Sequence, residues 1–356
     1  MRFYLFLAVH AVILMCFCLE SGEGVCENKN LTKACKKRSF VQLILTKHLP
    51  TFNENPKGIC RWLKELKHQS GLCKRRRGLA EIINATRELT LNSCTHDFQY
   101  EQWPCLRLKR IFKKVYRETS FVYSLTTSAF MWLVARACAA GTLEDCACAA
   151  TPGKHSGAHA HVNVTAGGWR WGGCGDNTKF ARRLTYKFFQ LKKKGDKAQN
   201  ILRYNGEVGV KIVIRSEQKV CKCHGLSGSC TYRTCFKRLQ PFTVITEELK
   251  SRYHSAERIS SDNDLWRPLN EKEWRDEEKD TTDTLRYLDT GPNWCQFTVG
   301  RRCKDTDNCA TLCCGRGVRL GQRTIREPCK CRWRNDTAYQ VVCEQCDKEE
   351  TVYHCQ

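Results

Sequence analysis

Cys221-Lys222-Cys223-His224-Gly225-Leu226-Ser227-Gly228-Ser229-Cys230, followed by Thr231-Tyr232-Arg233-Thr234-Cys235, is the segment on which the reading of this chain turns. Four cysteines bracket a short turn, and Gly225 and Gly228 permit positive φ and a tight reversal. Nested pairing of Cys221 with Cys235 and of Cys223 with Cys230 would close a stiff hairpin whose tip presents Leu226, Ser227 and Ser229 to solvent. Ser227 invites a catalytic reading, because Gly225 to Ser229 approaches the hydrolase turn G-x-S-x-G. Ser229 occupies the last glycine position, and nothing downstream looks like an acid and a base arranged around the serine. The chain is therefore not read as an enzyme. A turn serine without a role and a covalent attachment point remain as readings.

Working outward, the N-terminus sets the redox compartment. Arg2 precedes a largely apolar run from Phe3 to Leu19, and Gly22-Glu23-Gly24 offers a small-x-small cleavage site, so residues 1–24 read as a secretory signal peptide. Of the 26 cysteines, Cys16 and Cys18 lie in that peptide. The remaining cysteines, 26 − 2 = 24, are an even number exported into an oxidising compartment, where disulfides are the default. Pairs such as Cys329-x-Cys331 would raise zinc in a reducing cytosol, but here no metal site is assigned. His155, His159 and His161 fall in the long interval from Cys148 to Cys174 and read as part of an exposed insertion loop. A net charge of +23 calls for a polyanion, and since the chain reads as exported, sulfated glycans or anionic membrane surfaces are expected rather than nucleic acid. The runs Lys74-Arg75-Arg76-Arg77 and Lys192-Lys193-Lys194 favour glycan binding over a merely solvated face. N-x-T sequons at Asn30, Asn84, Asn163 and Asn335 fit passage through the secretory pathway.

Cysteine spacing divides the chain. None occurs between Cys235 and Cys295, and Glu257 to Asp283 is rich in Asp, Glu, Ser and Thr, which reads as a linker. The segment after Asn293 packs cysteines densely and has little apolar core, so cross-links must replace burial in a β-hairpin module. Upstream, Leu79, Ile82, Ile83, Leu89 and Leu91 recur at helical spacing. Leu106 to Arg117 is basic and amphipathic, and it leads into the uncharged stretch Phe121 to Ala135, which reads as a buried core helix rather than a membrane span. A further basic helix is read from Asn177 to Lys194. The resulting fold class is α+β: residues 25–247 form a disulfide-stapled helical N-terminal domain with a thumb hairpin at 221–235. Residues 248–292 are the linker, and residues 293–356 form a small cysteine-rich β-hairpin domain with a finger hairpin at 329–346.

The segment Cys221 to Cys230 closely resembles the signature of the Wnt family of secreted signalling proteins. Ser93 to Cys105 is similar to that family's C-x10-C element with a tryptophan before the second cysteine. Arg117 to Phe130 resembles its central helix, and Trp171 to Asn177 and Leu312 to Gly317 resemble two further blocks in the same order. Cys73 to Glu88 and the central helix look most like the Wnt-nine subgroup. The resemblance implies a monounsaturated fatty acyl ester on Ser227, no other cofactor, and receptor contact through His224, Gly225, Leu226, Ser227 and Gly228 of the thumb. It implies a second contact through Trp333, Arg334 and Tyr339 of the finger. The implied partners are the Frizzled cysteine-rich domain, LRP co-receptors, the Porcupine acyltransferase, the Wntless carrier and heparan sulfate proteoglycans, in the extracellular space and matrix.

The same resemblance implies the bridges Cys94–Cys105, Cys138–Cys146, Cys148–Cys174, Cys221–Cys235, Cys223–Cys230, Cys295–Cys314, Cys303–Cys309, Cys313–Cys355, Cys329–Cys346 and Cys331–Cys343. Proximity pairs the remaining four as Cys26–Cys35 and Cys60–Cys73. One departure stands out. Wnt fingers usually carry an adjacent-cysteine bridge at the tip, whereas Arg332 to Gln340 contains no cysteine and includes the Asn335 sequon.

Overall fold

The computed structural model describes residues 38–50, 56–105, 108–149, 169–230, 233–259, 283–334 and 340–356. The signal peptide, Cys26 and Cys35, Asn30, the insertion-loop histidines and Asn163, and Asn335 and Tyr339 lie outside the described residues. Apart from Arg38 and Ser39, the described residues belong to the unit Phe40–Gln356.

The helical part begins with α1 (Phe40–Thr46), α2 (Pro56–Trp62), α3 (Lys67–Arg75), α4 (Leu79–Asp97) and a single turn, α5 (Leu108–Ile111). The basic stretch of Leu106 to Arg117 thus contributes one helical turn in its described part, not a continuous entry into the next helix. That next helix, α6 (Arg117–Ala140), is the axis of the domain and packs against α4, α7 (Thr178–Phe189), α8 (Lys197–Arg215) and α9 (Phe242–His254). Its ends are set locally. Tyr116 is extended and its N–H donates to Thr119 Oγ1, while Gly141 closes the helix at φ +70°. Arg117–Ala140 is long and apolar enough to cross a bilayer, yet 78% of its apolar window is buried inside the protein. Phe121, Leu125, Phe130, Met131 and Val134 are fully enclosed. Each such side chain contributes roughly 1.5–3 kcal/mol of apolar burial. The Ser and Thr residues among them are tolerated because their hydroxyls find carbonyls. Thr126 Oγ1 donates to Val122 O at 2.7 Å, and Thr127 Oγ1 reaches Gly206 O on α8 at 3.0 Å.

In α4 the buried stripe runs Leu79, Ile82, Ile83, Thr86, Thr90 and Cys94, while Leu89 and Leu91 sit at its half-buried margin. The basic helix α7 starts where its N-cap predicts. Asn177 Oδ1 accepts the Phe180 N–H at 2.9 Å, and the helix stops at Gln190, whose φ of 54° is left-handed.

A three-stranded sheet, β1 (Trp169–Trp171), β2 (Glu217–Cys223) and β3 (Arg233–Leu239), has the order β1-β3-β2, with β2 and β3 antiparallel. The ends of the acidic stretch are anchored to the helices. The short strands β4 (Glu257–Arg258) and β5 (Arg286–Tyr287) pair in parallel, and Asp283 accepts from Lys211 at 2.8 Å and Arg215 at 2.7 Å. Beyond it come α10 (Thr306–Leu312) and a long antiparallel ribbon, β6 (Val318–Arg334) with β7 (Gln340–Cys355). Here the apolar core shrinks to Cys303, Cys309, Leu312, Cys313 and Cys355 with Val318 and Tyr353 against them. Cross-links carry the load that burial carries elsewhere.

The loop after α4 holds this module. Arg301 donates to the carbonyls of Gln99 at 2.9 Å and Gln102 at 3.0 Å, Asn308 Nδ2 to that of Tyr100, and Gln102 Nε2 to that of Thr311. Trp294 enters the main core, its ring 6.3 Å from Trp103 and its Nε1 donating to buried Glu118 at 3.2 Å. The mixed α+β architecture is that implied by the sequence.

Candidate functional site

The thumb is the β2–β3 hairpin. Alternation along the strands places Cys221 directly opposite Cys235 in the register, and a disulfide joins them. Cys223–Cys230 closes the loop above. Inside that loop the Gly225 N–H donates to Ser229 O at 2.7 Å, Gly228 N–H to Gly225 O at 3.0 Å, and Ser229 N–H to Leu226 O at 3.1 Å. Three backbone bonds in five residues leave little freedom. The positive φ angles fall on Ser227 at 54° and Gly228 at 78°, while Gly225 is extended at −80°. The left-handed residue before Gly228 is thus the serine itself, which spacing alone did not reveal.

Ser227 is exposed, and Leu226 beside it is 93% exposed. A single exposed leucine is ordinary on a protein surface; what marks the tip is a serine held at positive φ on a turn closed by two bridges. His224 Nε2 lies 2.6 Å from Thr234 Oγ1 across the hairpin, so the imidazole nearest in sequence braces the thumb base. A nucleophile needs a positioned base within hydrogen-bond reach, and this arrangement gives its histidine a different partner.

The finger is the far end of the β6–β7 ribbon, with Cys329–Cys346 and Cys331–Cys343 as its rungs. The register shifts between Cys329 and Arg332, where Lys330 takes φ 46°, and pairing resumes through Trp333↔Val341 and Arg334↔Gln340. Trp333 is 70% exposed. Other disulfides join Cys60–Cys73, Cys94–Cys105, Cys138–Cys146, Cys148–Cys174, Cys295–Cys314, Cys303–Cys309 and Cys313–Cys355. Cys303, Cys313 and Cys355 have the mutual spacing of metal ligands, but all three are oxidised in these bridges and offer no thiolate. Asn84 lies in the middle of α4, donating to Glu88 Oε1 at 2.8 Å. The Thr86 of its sequon is fully buried, with its hydroxyl on Ile82 O at 2.6 Å.

The wnt family profile matches residues 62–356. The chain belongs to the Wnt family. It is 36% identical over 310 residues to protein Wnt-4 of Drosophila melanogaster, covering 84% of this chain and 56% of that protein. It is 34% identical over 314 residues to human protein Wnt-9b, covering 83% of this chain and 84% of the relative. Wnt-4 and Wnt-9b stand at comparable identity, so the subgroup within the Wnt family is not separated. Among solved structures, a chain of human WLS in complex with WNT8A superposes with a TM-score of 0.53 at 26% identity, covering 77% of this Wnt and 92% of that chain. The chain spans little more than half the length of the Drosophila relative, and Wnt proteins as a family are signalling ligands rather than enzymes.

Proposed function

We propose that this chain is a secreted, lipid-modified Wnt-type ligand that carries a monounsaturated fatty acyl ester on Ser227 and signals through Frizzled receptors with LRP co-receptors. The carrying observation is the thumb tip: an exposed serine beside a fully solvated leucine, on a turn fixed by two disulfides. Burial of a long acyl chain contributes about 0.8 kcal/mol per CH2, so an acyl thumb brings on the order of 10 kcal/mol to a hydrophobic groove before ordering costs. Rigid closure of the turn lowers those costs. His224, Gly225, Leu226 and Gly228 flank the ester and form the thumb contact with the Frizzled cysteine-rich domain. Trp333, Arg334 and Tyr339 form the second contact from the finger. Without an adjacent-cysteine bridge there, and with a sequon at Asn335, that contact differs from the usual Wnt finger.

In this reading Porcupine installs the acyl group and Wntless carries the protein to the surface. The WLS–WNT8A complex among the related structures supports the second step. Heparan sulfate proteoglycans then retain a ligand of net charge +23 in the matrix. The thumb belongs to a helical domain, proposed as residues 25–247 and extended by the rest of α9 to His254, and the segment from there to 292 joins it to the cysteine-rich domain of 293–356. Glycans are proposed at Asn30, Asn84, Asn163 and Asn335, and a bridge at Cys26–Cys35. The test is non-reducing peptide mass spectrometry of the secreted protein together with a Frizzled-dependent reporter. The peptide containing Ser227 is expected to carry the acyl mass, and Ser227→Ala to abolish both that mass and reporter output. Ser229→Ala should keep the mass. An unmodified Ser227 in active secreted protein rules the thumb mechanism out.

A further inference from the structure

Side chains alternate along the thumb strands, so Lys222 and His224 share one face with Thr234, Phe236 and Arg238. On that face Thr234 and Phe236 are half-buried, while Lys222, His224 and Arg238 are exposed at its margin. The face forms one wall of a groove of about 1040 Å³ whose other wall is the side of α4 and α6. Phe236 on the thumb side, Ile82 and Ala85 on α4, and Leu133 and Ala137 on α6 all line it. A groove with an apolar lining beside a solvent-exposed hairpin is an incomplete piece of packing, and the position of the thumb tip says what completes it.

We propose that the acyl chain on Ser227 folds back into this groove whenever no partner holds it, so that the protein shelters its own lipid. The inference rests on acylation of Ser227 as proposed above. Reach is the first argument. Ser227 is three residues beyond His224, which already lines the groove, and three residues span at most roughly 11 Å. A long acyl chain covers that interval and has methylenes to spare. Sign is the second: an unsheltered chain meets water along its whole length, and every methylene that enters the groove is favourable. The third argument concerns the rim. Glu81 and Asp176 line the groove, and so do the basic residues Arg77, Lys222, Arg238 and Arg136, the last with its guanidinium 4.5 Å over the Trp132 ring. Such basic side chains lay aliphatic stems along an apolar guest and keep their charged heads in water. The small side chains of Ala85 and Ala137 leave the space that a linear chain needs.

Sheltering makes partner binding a competition. A carrier or receptor groove has to extract the chain from α4 and α6, and the free ligand exposes less apolar surface than a splayed thumb would.

The experiment uses full-length protein secreted by cells fed a long-chain fatty acid with a photoreactive diazirine near its tail. After irradiation in detergent-free medium, cross-links from the acylated Ser227 peptide are mapped by mass spectrometry. They are expected in the peptides containing Ile82–Ala85 and Leu133–Ala137. They should fall to background in Ala137→Trp and in Ala85→Phe, which fill the groove from α6 and from α4 respectively, with acyl occupancy at Ser227 unchanged. Using two filling variants keeps the test usable if one of them is not secreted. In monomeric protein freed of carriers, an acylated Ser227 whose tail cross-links to neither groove peptide overturns the proposal and leaves acylation standing. So does protection of the groove peptides by a heparin oligosaccharide while the tail cross-links elsewhere. An unacylated Ser227 overturns the reading beneath it, and this outcome is recognised on the same peptide before irradiation.

Discussion

Glu207 is buried in α8, and burial pushes its carboxyl up to about 7, against the pull of Lys211, Lys192 and Arg182. A carboxyl raised in the folded state favours folding while it holds its proton. That contribution is complete below the unfolded value near 4.5 and is lost as pH rises through about 7. Over that window the loss amounts to about 3 kcal/mol. Glu207→Gln keeps the neutral shape and cannot ionise. Its denaturation midpoint should therefore match the parent at pH 4.5 and exceed it at pH 8, as read by urea unfolding at the two values. Ser227 shows a different economy at the same scale. A non-glycine residue in the left-handed region costs roughly 1–2 kcal/mol, and the two thumb bridges hold it there.

Between elements, the tightest constraint is where α6 crosses α8. A Cβ at Gly209 would lie 2.3 Å from Ser124 O and 2.6 Å from Ser128 Oγ, so the two backbones meet with no room for a methyl group. Gly209→Ala must push the helices apart. We expect a loss of about 1–3 kcal/mol, measured as a lower unfolding midpoint and reduced secretion, with the thumb bridges still formed. This crossing was not legible in the sequence. Neither was α8, whose glycines and charges at Arg203, Glu207 and Lys211 break the apolar rhythm. The local signal available was Asp196, which caps the helix by accepting the Gln199 N–H at 2.8 Å. In α4 the leucine spacing pointed to the right helix but in part to the wrong face, because Thr86 and Thr90 continue the buried stripe once their hydroxyls can bond inside it. The thumb was far more legible, since two disulfides and a glycine turn confine a short loop to few shapes. The groove behind it was invisible in sequence, because its walls come from four segments separated by tens of residues.

For the whole molecule, stability is divided unevenly. The helical part rests on an extensive apolar core, and the C-terminal part on a handful of side chains and its bridges. Among the described bridges Cys313–Cys355 closes the longest loop, with a separation of 42 residues, and ties α10 to the end of β7. Loop closure of that length is worth about 4 kcal/mol. The double variant Cys313→Ser with Cys355→Ser should expose the ribbon base to hydrogen exchange and lose most secreted protein, while α4 and α6 keep their protection. The helical core imposes an order of events as well. Folding of α4 buries the Thr86 hydroxyl against Ile82, so an enzyme that must read the threonine of the Asn84 sequon can do so only before that helix packs. Glycan occupancy at Asn84 is then a clock: each copy of the chain records whether the sugar or the fold arrived first.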